Sequence, residues 1–566
     1  MGIPGLWKIL KPTVQARTLT QLSVSEGFEH NRRATGTIRV GIDASLLLNR
    51  AQWAAYHQTG RGINMQAGEN LPLQILFFQL CRLLALPIIP IFAFDGSQGP
   101  TVKRGRQVKA TPHALMSAFL QLINDAGFYG YTAPGEAEAE LAELNARGEI
   151  DAVITDDVDA FLFGATHVIR TSNVVRDGDY ISIYTASAIK AHPSTQLTSA
   201  RVLLIAILTG GDYMPGLKGC GMAIAHRLSI RTSLADGLYA ATRDLPPHQL
   251  PGFLRGWRDA LKTQLTQDPD NVLGRRYPAI AQNLSEDFPS IDVLRYYLYP
   301  ITSGPGGEVN VALQKMKPPD LPALAVWCEK YFSWASRGVI LERFRSNLWS
   351  GIFIRSLIKP INVDTVMAAH VNEGYSESRH PAILQITRAS LGPGAPSTRP
   401  NVWGYHVQVE PHLLVVSTLS RLTPEDRTAA ESQPRKTLII WIPASILKRA
   451  LPKLVEAFHM ARGTKITAAP VTPLLSAVGH NDIDTGADSG DVSDTPSVVT
   501  NSSSLRSSAN ISSWTGSGSM ADPIIFEDGD IGDCDSDESG DGGKEIHIFG
   551  PQTRLQFLFE SLDAIL

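Results

Sequence analysis

The chain has 566 residues, 43% of them hydrophobic, and a net charge of −4, enough for two or three domains; no apolar run reaches the roughly 20 residues of a bilayer span, so it reads as soluble. The charge is unevenly spread: residues 466–566 hold 17 acids and 3 bases, a net of −14, which leaves 38 acids and 48 bases, a net of +10, in residues 1–465. A basic body with an acidic tail suits a protein that binds a polyanion and argues against a lipid-embedded role.

The start, "MGIPGLWKIL", lacks the basic segment and cleavage site of a secretory signal, and Leu6 stands where a myristoylation signal needs Ser or Thr. "TIRVGIDAS" and "LPIIPIFAFDG" are apolar runs of strand length, and each reaches an aspartate, Asp43 and Asp95. Between them "LPLQILFFQLCRLLA" has helical spacing, as does "TPHALMSAFLQLINDAGF" after the basic stretch "TVKRGRQVK". Glu136 and Glu138 follow Pro134 and Gly135 at a predicted helix start, where carboxylates suit the helix dipole. A third strand, "DAVIT", ends in Asp156, Asp157 and Asp159, and "VLLIAILTGGDYMPGLKGCG" carries Asp212.

Strands alternating with helices predict an α/β fold with a mostly parallel sheet flanked by helices over residues 1–230, and a mostly helical extension follows over 231–360. Residues 361–379 read as a connection. "VWGYHVQVE", "HLLVVSTLS" and "KTLIIWIP" then read as three strands followed by the helix "ASILKRALPKLVEAF", a small α+β module over 380–462. The Ser, Thr, Asp and Gly composition of 464–566 predicts a disordered acidic tail. The cysteines, Cys81, Cys220, Cys328 and Cys534, have no CxxC spacing, which fits a reducing compartment and offers no zinc site.

Residues 132–164 hold nine carboxylates, a costly concentration unless cations sit among them. Ligands of open parallel sheets collect beyond the carboxyl ends of the strands. The strand ends therefore bring Asp43, Asp95, Asp157 and Asp159 into one crevice, joined by Glu136, Glu138 and Asp212. Oxygen-only donors select hard ions, and seven acids exceed the needs of one Mg²⁺, so a pair of Mg²⁺ or Mn²⁺ ions ~3.5–4 Å apart is expected. Asp157 and Asp159 share one side of an extended segment, and Asp156 points away.

Lys103, Arg104, Arg106 and Lys109 follow Asp95 closely enough to grip a scissile phosphate. The turn with Gly216, Lys218, Gly219 and Gly221 suits contact with a nucleic-acid backbone, and its carbonyls suit a K⁺ ion.

"MGIPGLWKIL", "GIDAS", "FAFDG", "APGEAEAELAEL", "TDDVDAFLFG" and "GGDYMPGLKGCG" occur in this order over roughly residues 1–230. Together they resemble the flap endonuclease and XPG superfamily of structure-specific nucleases. The resemblance implies a PIN/XPG-like two-metal phosphodiester hydrolase. Asp43, Asp95, Glu136 and Glu138 match the acids around one metal; Asp157, Asp159 and Asp212 match those around the other. Lys103 falls near the superfamily's catalytic basic residue, with Arg104 and Arg106 as competitors, and Gly2 matches a glycine close to the site.

The resemblance divides the chain into an N-terminal nuclease region (1–110) and an internal region containing the start of a helix-two-turn-helix (111–230). A helical DNA-binding extension (231–360), a chromodomain-like module (380–462) and the tail follow. Only about forty residues separate Asp95 from Glu136, too few for the closed helical arch of flap endonucleases, which points to the Gen-type Holliday junction resolvases. Where flap endonucleases place a stacking aromatic after the first Asp, this chain has "SLLLNR", leaving Trp53 for that role.

In the module, Trp403, Tyr405 and Trp441 are either members of a methyl-lysine cage or core residues. Arg435, Lys436, Lys448, Arg449 and Lys453 favour DNA contact. "PIIFEDGDIGD" resembles a SUMO-interacting motif and "QTRLQFLF" a sliding-clamp box, and Thr423, Thr472 and Thr495 precede proline.

The expected activity is Mg²⁺-dependent cleavage of Holliday junctions and 5′ flaps, by a monomer that pairs on the junction, in the nucleus. The alternatives are a flap endonuclease, a catalytically silent junction-binding scaffold, and a phosphatase of the haloacid-dehalogenase type. The last places its Asp-x-Asp after the first strand, not the third.

Overall fold

The computed structural model describes residues 2–33, 35–59 (57–59 as backbone), 70–108, 112–171, 179–304, 316–332, 334, 336–358, 382–392, 402–423 and 437–462. The main sheet is built from β1 (Gln15–Thr18), β2 (Ile38–Asp43) and β3 (Ile88–Phe94). A hairpin of β4 (Val102–Lys103) and β5 (Arg106–Gln107) stands apart from it. The sheet resumes with β6 (Tyr129–Thr132), β7 (Ala152–Ile154), β8 (His167–Thr171) and β9 (Tyr180–Thr185). Its order is β1-β9-β8-β7-β2-β3-β6, and β9 alone runs against the other six.

The central strands explain themselves chemically. β3 is buried along its whole length, because helices cover both faces of a parallel sheet and leave no residue facing water. One face packs Val40, Ile42 and Phe92 against the helices Ala44–Thr59 and Leu71–Leu84. The other packs Ile91 and Val153 against Leu141 and Leu144 of the helix Ala137–Ala146. Sequence patterning gave β2, β3 and β7. It missed β1, β6, β8 and β9, whose mixed polar positions carry no apolar run.

The expected helical extension forms. Ser199–Thr209, Met222–Arg231, Leu234–Asp244 and Leu250–Thr266 share a second core with the first helix, Leu6–Leu10. Further on, Leu321–Tyr331, Arg337–Asn347 and Trp349–Ile358 return to the sheet side. There Phe77 meets Phe332, Trp334 and Phe344 with ring centroids 5.7–5.9 Å apart. Arg355 fixes this return. It is buried, donates to the carbonyls of Leu84 (3.2 Å) and Ile88 (2.9 Å), and lies over Phe128. Burial pushes its guanidinium down to about 9.

The C-terminal module holds an antiparallel sheet of β10 (Ile383–Leu391), β11 (Trp403–Val409) and β12 (Leu438–Pro443), with helices Ala444–Ala450 and Pro452–Ala461. Two expectations are corrected here. "HLLVVSTLS" is the helix His412–Leu419, not a strand; Leu414 and Thr418, four apart, are its buried positions, a helical period that its Val pair disguises. The first strand, β10, was missed because its apolar residues do not alternate cleanly, only Ile386 is buried, and its register with β11 is irregular.

Register also rules out a three-residue aromatic cage. Trp441 pairs with His406, so it lies on the sheet face opposite buried Tyr405. Tyr405 is a core residue hydrogen-bonded to His459 (2.9 Å), while Trp403 is exposed. Arg449, though exposed, lies over Phe28 (3.7 Å) and donates to the Ile358 carbonyl (3.0 Å), tying the module to the body of the main sheet. Lys448 is half-buried and Lys453 exposed; Arg435, Lys436, Thr472, Thr495, Cys534 and both tail motifs lie outside the described residues. Cys81, Cys220 and Cys328 are buried free thiols, and no helix among the described residues is long and apolar enough to cross a membrane.

The helix Trp349–Ile358 sits so close to the helix Leu71–Leu84 that a Cβ at Gly351 would stand 2.8 Å from the backbone of Leu84. Gly351→Ala should destabilise the protein by about 1–3 kcal/mol. Gly256→Ala, in the helix Leu250–Thr266 with open space around it, should instead stabilise by about 0.5–1 kcal/mol. Urea unfolding of both variants checks the pair, and equal effects would refute the close approach.

Candidate metal centre

Each acid reaches the crevice by a local device. β2 ends on Asp43, which accepts from the Leu46 amide (2.9 Å) and so starts the next helix. Asp95 follows β3; its own amide donates to Ser45 Oγ (2.9 Å), and its carboxylate accepts from the Ala137 amide (3.0 Å). That bond ties the end of β3 to the helix Ala137–Ala146, whose N-cap is Glu136 and whose first turn holds Glu138. After β7, Thr155 Oγ1 accepts from the Asp157 amide (2.9 Å), and Asp157 accepts from the Asp159 amide (3.0 Å).

The segment is therefore not extended as expected. Asp157 caps a 3₁₀ turn, Val158–Phe161, that contains Asp159. Asp212 follows the Gly210–Gly211 turn after the helix Ser199–Thr209.

The crevice is real and crowded. Asp43, Glu136, Asp157, Asp159 and Asp212 are buried, Glu138 is partly so, and Asp95 is exposed at the rim. One oxygen each from Glu138, Asp157 and Asp212 lies within 4.8 Å of the others. This grouping cuts across the expected division into two sets, since Glu138 was assigned with Asp43 and Asp95. Glu136 is drawn aside: Lys103 forms an ion pair with it, and the Tyr213 hydroxyl donates to its other oxygen. Asp156 points away, as expected, into ion pairs with Arg50 and Arg170.

Burial and mutual repulsion set the electrostatics. Desolvation, then the Asp95 charge, push the Asp43 carboxyl up to about 7. Desolvation followed by the Asp157 charge raises Glu138 and Asp159 well above the carboxylate range, and desolvation also raises Asp157. Burial alone would lower the Lys103 ammonium, but Glu138, Asp212, Asp95 and Asp157 outweigh it and hold the pKa above the ordinary lysine value.

The basic residues separate by geometry. Lys103, on β4, lies 3.7 Å from Glu138 in addition to its pair with Glu136. Arg104, at the hairpin turn with φ 51°, donates to Asp212 Oδ1 (2.8 Å) and the Gly2 carbonyl (3.1 Å). Arg106 is exposed and Lys109 lies outside the described residues. Gly2 (φ +74°) stands against the acids: a Cβ there would collide with the carboxylates of Asp157 and Asp159, and the next amide, Ile3, donates to Asp159 (3.1 Å).

Gly216 packs on the backbone of Gly210, so its lack of a side chain serves the turn itself. Lys218, Gly219 and Gly221 are exposed, with Gly221 capping the helix Met222–Arg231. Sequence reasoning missed Tyr213 and Tyr297, whose rings meet at 4.6 Å beneath the acids; only the adjacency of Tyr213 to Asp212 hinted at the first. Trp53 is exposed on the helix Ala44–Thr59.

The donors are all oxygen, and burial first, then neighbouring negative charge, raises the proton affinity of Asp43, Glu138, Asp157 and Asp159. Such a set fits hard divalent cations.

Comparisons with known proteins agree. The XPG N-terminal domain matches residues 1–114 and the XPG I-region residues 127–212. The mouse protein "Flap endonuclease GEN homolog 1" is 28% identical over 247 residues, 40% of this chain and 25% of its own length. The Arabidopsis thaliana "Flap endonuclease GEN-like 1" is 28% identical over 273 residues, 43% of this chain and 41% of its own. The chain thus spans only a quarter to two-fifths of these relatives. A solved Holliday junction-resolving enzyme, GEN1 in complex with product DNA and Mg²⁺, shares the fold with a TM-score of 0.62 at 25% identity, covering 82% of this chain and 100% of that one. By its paired XPG regions, its fold and its carboxylate crevice, the chain belongs to the flap endonuclease/XPG superfamily of structure-specific nucleases.

Proposed function

We propose that the protein is a Mg²⁺-dependent structure-specific DNA endonuclease that resolves Holliday junctions and also cuts 5′ flaps. The convergence of Glu138, Asp157 and Asp212 within 4.8 Å, with a lysine beside them, carries the hydrolase reading. The junction preference rests on the likeness to the GEN proteins and on the segment after Asp95. That segment holds a two-stranded hairpin and the helix Met116–Asp125, and Asp95 stays exposed at the rim. An uncovered rim accepts an uninterrupted strand.

Glu138, Asp157 and Asp212, with Asp43, Asp95, Glu136 and Asp159 around them, would hold two divalent ions, with Mn²⁺ able to replace Mg²⁺. When bound, such ions polarise the phosphate and lower the pKa of water. The chain's own groups supply the rest. Lys103 is held protonated at the crevice mouth by the surrounding acids, placed to donate to a phosphate oxygen. Arg104 fixes Asp212 and the N-terminal turn at Gly2. Tyr213 positions Glu136 by donating its hydroxyl to Oε2. Lys218, Gly219 and Gly221 would grip a duplex backbone, and a K⁺ ion at that turn belongs to the same reading.

Resolution needs two cuts, so a monomer in solution should pair on the junction and leave 5′-phosphates. The domain limits at 110, 230 and 360, the chromodomain-like identity of residues 380–462, a DNA contact through Lys453, tail contacts with SUMO or a sliding clamp, and nuclear residence complete the proposal.

Labelled four-way junction, 5′-flap and splayed-arm substrates should show paired symmetric nicks in the junction. Asp157→Asn should lower kcat at least about 100-fold, a loss of several kcal/mol of charge stabilisation. Flap cleavage with intact junctions would make this a flap endonuclease; binding without hydrolysis would make it a scaffold.

Lys103→Ala should cost about 10²–10³-fold in kcat, with Arg106→Ala near wild type. Equal losses in single-turnover assays would remove the special role of Lys103.

Metal-free stability should fall as pH rises. Between about pH 4 and about 7 the folded crevice binds more protons than the unfolded chain, so each ionisation opposes folding. Asp159→Asn keeps the acceptor for Ile3 and removes one charge. It should raise the metal-free melting temperature at neutral pH by about 2–4 °C per kcal/mol of repulsion relieved, and abolish the further rise that Mg²⁺ gives wild type. A calorimetric scan in EDTA and in Mg²⁺ decides it, and a lower metal-free melting temperature in the variant would contradict the repulsion.

A further inference from the structure

Beside the crevice the surface changes character. The helix Ile291–Leu298 buries Tyr297 but turns Tyr296 outward, 43% exposed; Tyr299 is 55% exposed and Ile301 48%. Exposed apolar side chains scattered singly mean little, but these three fall within six residues and are anchored to the site. The Tyr296 ring lies 5.5 Å from Tyr213, whose hydroxyl donates to Glu136. The backbone of Ile301 abuts Gly135, next to Glu136, and the Ser303 amide donates to Glu140 (2.7 Å) on the same helix.

Tyr299 is held while exposed: its hydroxyl donates to the Arg243 carbonyl (3.1 Å). The side chains of Arg243 and Arg295 are exposed, and neither forms an ion pair among the described residues.

Fixed, outward-facing rings interleaved with unneutralised guanidinium groups are what a single nucleic-acid strand requires. Base faces stack on the rings, and the cations meet the phosphates. A paired duplex hides its base faces, so the ligand that uses such rings is unpaired. We infer that Tyr296 and Tyr299, flanked by Arg243 and Arg295, form a stacking platform for unpaired nucleobases at the branch point, next to the phosphate that enters the carboxylate crevice. The inference rests on the nuclease reading and deepens it: the platform would favour substrates whose pairs open beside the cut.

The test places 2-aminopurine at successive positions flanking the scissile phosphate of a branched DNA. Fluorescence is read on binding in Ca²⁺, and steady-state cleavage in Mg²⁺. Wild type should change the fluorescence at one or two adjacent positions. Tyr296→Ala and Tyr299→Ala should each abolish that change and raise KM about 10-fold, with kcat within about twofold. Tyr296→Phe should retain both signals, which separates loss of stacking from loss of fold.

Alanine variants that melt like wild type and keep its fluorescence change and KM would overturn the platform while leaving the nuclease reading intact. Lower kcat with unchanged KM and fluorescence would also overturn it, since the tyrosines would then act on Glu136 through Tyr213. Absence of binding and cleavage by wild type would remove both readings.

Discussion

Like-charge repulsion inside a buried crevice governs this structure. Asp43, Asp157, Asp159, Glu138 and Asp212 come from four separate parts of the chain, and burial makes the first four reluctant to ionise. A fold tolerates such a cluster only if other forces hold the backbone around it. The restraints here are specific: amides of Leu46, Ala137, Asp159 and Ile3 donate to acids, and Lys103 and Arg104 bring positive charge from one short hairpin. A divalent cation would relieve what these donors leave uncompensated.

The scaffold that withstands the repulsion is the parallel sheet. With β3 buried throughout and helices on both faces, its strand ends are fixed to one another by continuous ladders and packed side chains. The acids therefore sit on rigid termini, although the residues joining them to helices are turns. Beyond the sheet, buried Arg355 draws the helix Trp349–Ile358 onto the end of the helix Leu71–Leu84, and Arg449 attaches the C-terminal module through Phe28. A long route thus connects the module to the helices behind Asp43. The tyrosines around Tyr213 form a second border of the crevice, one supplied by the helical extension.

Much of this was legible in the chain. The runs before Asp43, Asp95 and Asp156 are apolar because both sheet faces are covered, and that same burial makes them readable as strands. The helix start at Glu136 and the outward turn of Asp156 also follow from local rules. Four strands were not legible. β1, β6, β8 and β9 mix polar and apolar residues at or toward the sheet's flanks, where one side of a strand can remain wet. The segment at His412 misled for the opposite reason: its valines favour a strand, but packing selected the helical period.

The residues by themselves determined the acids, their order at strand ends, the basic segment beside them and the family, because these are properties of residue type and short spacing. Tertiary structure decided which acids meet, and it grouped Glu138 with Asp157 and Asp212 across the expected division. It also separated Lys103 from Arg104, since one carries its charge to Glu136 and the other to Asp212, two neighbours in the chain turned apart where the hairpin passes through two left-handed residues, Arg104 and Gly105. It placed Trp441 on the wrong face for a cage and brought Tyr296 to the rim. Distances between side chains far apart in the chain depend on how helices pack and how strands register, and no local pattern encodes either.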